Sequence, residues 1–222
     1  MSVDAVRGGV PDPSAMRQPY EVPGLTEEAA AGDPFVQFDR WFADAAEAGI
    51  KEPNAMTLAT VDAGGLPDAR VVLLKGVGPE DGFRFYTNKR SRKADELAAR
   101  AEAALVFYWD ALDRSVRVRG RVVELDDAAN DAYFAQRPRG SQLGAWVSPQ
   151  SSIIPDRGHL AAEQARREAE FSGRDVPRPP HWGGYAVMPR AIEFWQGQPS
   201  RLHDRLRYER SDGGWSRVRL AP

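Results

Sequence analysis

Residues 115–122 read Ser-Val-Arg-Val-Arg-Gly-Arg-Val, with every odd position polar and every even position Val or Gly. A period of two puts one face of a strand against a core and the other toward solvent, and no helix can satisfy it. The rest of the chain is punctuated to match. Strand signals fall at 55–62, 69–77, 83–87, 104–109, 184–188, 191–196, 206–210 and 215–220. Tight turns break them at Asp62-Ala-Gly-Gly65, at 78–82 and at Ser211-Asp-Gly-Gly214. Many short strands joined by such turns predict an antiparallel barrel.

Helical patterns lie at the margins. Asp33-Pro34 supplies an N-cap and a proline at the first helical position. Phe35, Phe38, Trp41, Phe42 and Ala45 follow at helical spacing up to Gly49. Further helices are expected at 91–99, 126–136 and 158–171. The expected fold class is therefore α+β, mainly β: an irregular segment over residues 1–32, then one domain over 33–222. The proline-rich stretch 176–180 reads as a loop, because too few strands follow it to close a second core.

Composition removes several kinds of chemistry. The chain has no cysteine, which excludes disulfides, thiolate catalysis and Cys-based metal sites. Its three histidines, His159, His181 and His203, are far apart, so no metal site is expected. Thirty basic against 32 acidic residues leave a net charge of −2, which argues against a general nucleic-acid binder. The first 25 residues hold no apolar run of the signal-peptide kind, and no stretch approaches the ~20 apolar residues of a membrane helix. A soluble, cytoplasmic protein with no membrane partner is expected. Gly76-Val-Gly78 lacks the third glycine of a dinucleotide fingerprint and there is no phosphate-binding Gly-Lys-Ser/Thr loop. The chemistry must come from a group brought in.

Four polar clusters could receive such a group. Arg70 and Lys75 bracket four apolar residues five positions apart, so on one strand they would face opposite sides of the pleat. They are either charged strand ends in solvent or contacts to two different anions. Residues 86–93, Tyr-Thr-Asn-Lys-Arg-Ser-Arg-Lys, set hydroxyls and cations between a strand end and a helix start, where a phosphate fits; a solvated basic cap is the alternative. Tyr133, Arg137, Arg139 and Ser141 lie at a helix end running into a loop, with Tyr133 and Arg137 on one face. They suit a phosphate monoester or ordinary dipole compensation. Arg201 and His203 would alternate on an extended segment and share a pocket, although a lone histidine is more often packed or exposed. Trp109, Trp146, Trp182 and Trp195, taken singly, read as core.

Taken together, the motifs resemble the pyridoxamine 5′-phosphate oxidase family. The matching stretches are Asn54-Ala-Met-Thr-Leu-Ala-Thr-Val61, Arg70-Val-Val-Leu-Leu-Lys75, Phe85-Tyr-Thr-Asn88, Ser91-Arg-Lys93 and Arg137-Pro-Arg139 with Ser141-Gln142. Gly144-Ala-Trp-Val-Ser148, Gln150-Ser-Ser152, Trp182-Gly-Gly184, Ile192-Glu-Phe-Trp-Gln-Gly197, Arg201-Leu-His-Asp-Arg205 and Arg219-Leu-Ala-Pro222 continue the match in the same order. It runs from about Met16 to the C-terminus.

The resemblance implies an FMN-binding split β-barrel that acts as a homodimer, with FMN at the subunit interface. It implies oxidation of pyridoxamine 5′-phosphate and pyridoxine 5′-phosphate to pyridoxal 5′-phosphate, with O2 as acceptor and H2O2 released. By motif, Arg70, Arg92 and Lys93 would hold the FMN phosphate, while Val71, Val72, Leu73, Leu74, Tyr86 and Thr87 line the flavin. Gln150, Ser151, Trp195 and Arg205 would complete the cofactor site, some from the partner subunit. Lys75, within the same flavin-lining stretch, would join Tyr133, Arg137 and Ser141 in clamping the substrate phosphate. Arg201 and His203 would act at the pyridine ring, with Arg17 and Tyr20 closing over it. One departure is visible: Ser115 stands where the family usually has a flavin-contacting Gln, a loss of about 0.5–1.5 kcal/mol at most. Two other readings are a flavin oxidase of the phenazine-biosynthesis kind, whose substrates lack a phosphate, and a non-catalytic flavin- or pyridoxal-phosphate-binding module.

Overall fold

The computed structural model of the chain describes Met16, Tyr20 and residues 22–222. In chain order the elements are α1 (Pro34–Glu47), β1 (Ala55–Val61), β2 (Pro67–Leu73), β3 (Gly76–Gly78), β4 (Gly82–Asn88), α2 (Arg92–Ala99), β5 (Glu102–Trp109) and β6 (Arg114–Glu124). There follow α3 (Asp127–Gln136), α4 (Arg139–Val147), α5 (Arg157–Glu170), β7 (Trp182–Gln196), β8 (Asp204–Ser211) and β9 (Gly214–Arg219).

The nine strands of the described residues form one antiparallel sheet in the order β2-β1-β5-β6-β7-β4-β3, with β8 and β9 continuing from β7. β2 and β3 therefore stand at opposite ends of the seven-strand path, yet only Leu74 and Lys75 separate them in the chain. The three Cα-to-Cα steps from Leu73 to Gly76 reach at most about 11 Å, so the sheet must curl until its ends nearly meet. Lys75 N–H donates to the carbonyl of Arg84 on β4 at 2.8 Å, and Leu74 N–H to that of Asn54 at 2.8 Å. The result is a barrel with a seam between β2 and the β3–β4 hairpin.

The concave face is filled as the alternation requires. Met56, Leu58, Leu105, Phe107, Trp109, Val116, Val118, Ile192 and Phe194 are all buried there. α1 closes one mouth. Asp33 caps it, accepting from Phe35 N–H at 2.7 Å and Val36 N–H at 3.1 Å. Its buried Phe38 meets Phe83 and Phe107 edge-on at 5.1 and 5.2 Å between ring centroids. Truncating a ring so enclosed costs about 3–5 kcal/mol.

Three expectations about local structure need correcting. The apolar run 69–77 is two strands, because Leu74 drops into the core and turns the backbone at the seam. The stretches 184–188 and 191–196 are one strand, β7, that passes through Pro189. A ladder shift between Arg119 and Gly120 lies opposite Pro189 and absorbs its missing N–H. A Cβ on Gly120 would sit 2.0 Å from the Met188 carbonyl oxygen, so only glycine fits there. Finally, the stretch after Arg137 is not a loop: α4 begins at Arg139 and packs Leu143 and Val147 inward.

α3, α4, α5 and the start of β7 enclose a second, smaller cluster of Phe134, Leu143, Phe171, Val176 and Trp182. It lies beside the seam, and Tyr86 of β4 packs against it. No helix among the described residues is long and apolar enough to cross a membrane.

Candidate active site

A cavity of about 470 Å3 opens at the seam, lined by Arg70 to Leu73, Lys75, Tyr86, Thr87, Lys93, Tyr133, Arg137, Gln150 and Trp182. That is within the ~300–1,000 Å3 typical of cofactor and small-molecule sites. Arg70 and Lys75 thus serve one cavity rather than two sides of a pleat. The strand ends at Leu73, and counting by twos fails across the break.

One end is built around α2. Ser91 is its N-cap, and its hydroxyl donates to the Asn88 carbonyl at 2.7 Å. The buried Lys93 ammonium reaches back to Thr87 Oγ1 (3.2 Å), Ser91 Oγ (3.2 Å) and Gln150 Oε1 (2.7 Å). All three partners are neutral. Burial, then repulsion from Arg70, lowers the Lys93 pKa, as expected for a cation that lacks an anion. Arg70 is neutralised: Nη2 lies 2.8 Å from both Glu96 Oε2 and Asp68 Oδ2. Glu96 is buried and also takes Arg92 Nε at 3.0 Å and the Thr60 hydroxyl at 2.5 Å. Burial alone would raise its carboxyl pKa, but these hydrogen bonds outweigh burial and hold it low.

The other end is aromatic. The rings of Tyr86 and Tyr133 stack at 4.1 Å, and those of Tyr86 and Trp182 at 5.1 Å and 8°. The Arg137 guanidinium lies 4.8 Å from the Trp182 ring centroid and 5.6 Å from that of Phe134. Its Nη1 is buried and finds no hydrogen-bond partner among the described residues. Burial lowers its pKa, yet a guanidinium keeps its charge at any ordinary pH. Lys75, exposed, faces the same space.

A second cavity, about 440 Å3, lies on the outer face of the sheet and is lined by Tyr108, Ser115, Arg117, Glu193, Trp195 and Arg205, with Val106 and Pro222. Arg205 Nη2 lies 2.9 Å from the buried Glu193 carboxylate, which Arg117 also contacts. Next to it, the rings of His203 and Trp195 lie 4.7 Å apart, with Tyr20 edge-on to His203 at 5.4 Å. Gln198 N–H donates to His203 Nδ1 at 3.1 Å, which puts the imidazole proton on Nε2. Burial, then Arg201, lowers the histidine pKa, favouring the neutral ring. Ser200 and Arg201 have φ of 57° and 63°. Arg201 therefore ends a left-handed turn and does not alternate with His203 on an extended strand.

Within one chain, then, Trp195, Arg205, Tyr20 and His203 gather on the outer face, away from the walls of the seam cavity. Leu74 points into the core, Ser141 is exposed on α4, and Ser151 is exposed with φ 71°. Arg92 is mostly exposed and held by Glu96 and Asp68. Arg17 lies outside the described residues. The motifs did not single out Glu96 or the roles of Glu193 and Trp182. The Arg92–Glu96 spacing of four on α2 was the one available signal for Glu96.

A curled antiparallel barrel carries at its seam a cavity with a buried lysine, a neutralised arginine pair and an aromatic-held arginine, an arrangement able to receive an anionic group at each end. Two family models match the chain: "Pyridoxamine 5′-phosphate oxidase" over residues 42–169 and "Pyridoxine 5′-phosphate oxidase C-terminal dimerisation region" over 182–222. The chain belongs to the pyridoxamine 5′-phosphate oxidase family. The pyridoxine/pyridoxamine 5′-phosphate oxidase of Synechocystis sp. is 54% identical, covering 93% of this chain and 96% of the relative. That of Rubrobacter xylanophilus is also 54% identical, over 95% and 97%. Among solved structures, PhzG from Burkholderia lata 383, in complex with tetrahydrophenazine-1-carboxylic acid, superposes with a TM-score of 0.84. It is 32% identical and covers 90% of this chain and 99% of that one. An FMN-binding protein from Nostoc punctiforme (TM-score 0.67, 23% identity, 83% and 97% covered) shares the fold.

Proposed function

We propose that this chain is an FMN-dependent oxidase that converts pyridoxamine 5′-phosphate and pyridoxine 5′-phosphate to pyridoxal 5′-phosphate, with O2 as electron acceptor and H2O2 as co-product. The observation that carries the reading is the pair of cationic ends in one cavity. Among the described residues, Lys93, buried among neutral oxygens, lacks an anion at one end, and Arg137 Nη1 lacks a partner at the other. A flavin phosphate fits the first and a substrate phosphate the second.

Bound FMN supplies the two-electron acceptor, which O2 regenerates. The protein supplies position. Arg70 and Lys93 hold the flavin phosphate, with Arg92 bracing them through Glu96. Val71 to Leu73, Tyr86 and Thr87 wall the ring system, and Gln150 closes over Thr87 at 2.9 Å. Lys75, Tyr133 and Arg137, with Ser141 of α4, fix the substrate phosphate, so that binding energy remote from the reacting carbon orients it. The C-terminal region pairs two copies in a homodimer. Val71 and Tyr108, 68% and 63% exposed, flank the two cavities on the outer face. Pairing brings Trp195, Arg205, Arg201 and His203 of one subunit to the seam cavity of its partner, placing FMN at the interface. His203, neutral and with its proton on Nε2, offers one donor to the pyridine ring.

The likeness to the phenazine-complexed structure gives a second reading weight, because its ligand is a carboxylic acid without a phosphate ester. Lys75, Tyr133 and Arg137 around one cavity favour the phosphate. The test is to add pyridoxamine 5′-phosphate to the yellow protein and follow peroxide. Sustained release supports the oxidase, bleaching without release indicates a carrier module, and no response to either vitamin phosphate overturns the reading.

A further inference from the structure

The other arginines that line the two cavities, Arg70, Arg117 and Arg205, are each held by a carboxylate. Arg70 and Arg92 share Glu96, and Arg117 and Arg205 share Glu193. Arg137 is the exception among the described residues of these walls, with rings where the others have oxygens. We propose that Trp182 is the positioning residue of the substrate-phosphate site, holding the Arg137 guanidinium by its ring face so that the full charge stays available to a phosphate ester. The inference rests on the oxidase reading and deepens it.

The arrangement around Trp182 is rigid. Its ring belongs to the parallel stack with Tyr86 and Tyr133, and its other neighbour, Phe134, meets it edge-on at 5.1 Å. Arg178 fastens its backbone, donating to the Trp182 carbonyl at 2.9 Å while binding Asp127 and Asp131 of α3 at 2.8 and 2.5 Å. The buried Asn130 adds a second tie, accepting from Gly184 N–H at 2.8 Å. The helix that carries Tyr133 and Arg137 is thereby locked to the strand that carries Trp182. A carboxylate in the ring's place would orient Arg137 equally well but would cancel the charge the substrate needs. An aromatic face orients it with an attraction of only about 0.5–2 kcal/mol and leaves its N–H groups free. Planar guanidinium on a ring is also a geometry that lysine cannot copy.

The experiment compares the holoenzyme with Trp182→Phe and Trp182→Leu, reading KM and kcat for pyridoxamine 5′-phosphate, calorimetric binding of pyridoxal 5′-phosphate, and FMN content by visible absorbance. Losing an attraction of this size predicts KM and product Kd raised together by about two- to thirty-fold in Trp182→Leu. Trp182→Phe should fall between, with kcat and FMN content near those of the parent. If Trp182→Leu fails to fold, Trp182→Phe decides by the same split. A fall in kcat or flavin content with KM and product binding unchanged would make Trp182 a packing residue and overturn the inference. A parent enzyme that turns over neither vitamin phosphate would instead overturn the oxidase reading.

Discussion

At one end of the seam cavity the guanidinium of Arg70 sits against Glu96 and Asp68; at the other, Arg137 sits against Trp182 and Phe134. The first end carries one uncompensated charge before any ligand arrives, that of the buried Lys93, whose hydrogen-bond partners among the described residues are all neutral. The second end keeps an exposed charge on Lys75 and a half-buried one on Arg137, whose Nη1 has no partner among the described residues. Leaving that buried nitrogen unpaired costs stability, a cost that a bound phosphate would remove. A carboxylate-braced site suits a cofactor that stays, because its side chains are already oriented and little ordering remains to be done on binding.

The largest expected effect is at the aromatic end. Arg137→Ala removes hydrogen bonds to a charged group worth about 1.5–3 kcal/mol, and so should raise KM for pyridoxamine 5′-phosphate roughly ten- to a hundred-fold. FMN content should stay normal; loss of flavin would erase the distinction between the ends. Lys93→Met should do the reverse: flavin-fluorescence titration should give an FMN Kd raised about ten-fold, from the loss of one charge-assisted contact, with KM nearly unchanged once FMN is saturating. Glu96→Gln sharpens the contrast. Without the carboxylate Arg70 is left undercompensated, so the flavin-free protein should lose about 1–2 kcal/mol in denaturant unfolding. The FMN-bound form should lose less, since its phosphate replaces the missing charge.

The smallest effect concerns pH. Because burial lowers the His203 pKa, protonation, which would remove the acceptor for Gln198 N–H, takes place only below the usual value of about 6.5. The kcat/KM profile should therefore stay level on descending through pH 6.5 and fall only in more acid solution. His203→Asn should lose that acid limb.

How much of this was legible in the sequence depended on periodicity. The alternation at 115–122 located β6, and Asp33-Pro34 located α1, because both signals are local. Pro189 looked like a strand end because its tolerance depends on Gly120, which lies on another strand. The split at Leu74 was hidden because a core residue in an apolar run reads like any other strand residue. At the site, motif order brought Arg70, Lys75, Lys93, Tyr133, Arg137 and Gln150 to one list, and the fold brings those six to one cavity. Glu96 and Trp182 escaped because their partners come from different elements: Thr60 and Arg70 for one, Arg137 and Tyr86 for the other. Burial of a carboxylate or of a ring-held guanidinium is a property of packing that no local pattern announces.

The most direct test is a crystal structure of the dimer with FMN and pyridoxal 5′-phosphate bound. The flavin phosphate is expected on Arg70 and Lys93, and the product phosphate on Lys75, Tyr133 and Arg137. Both phosphoryl groups at a single end, or a product phosphate remote from Arg137, would contradict the account.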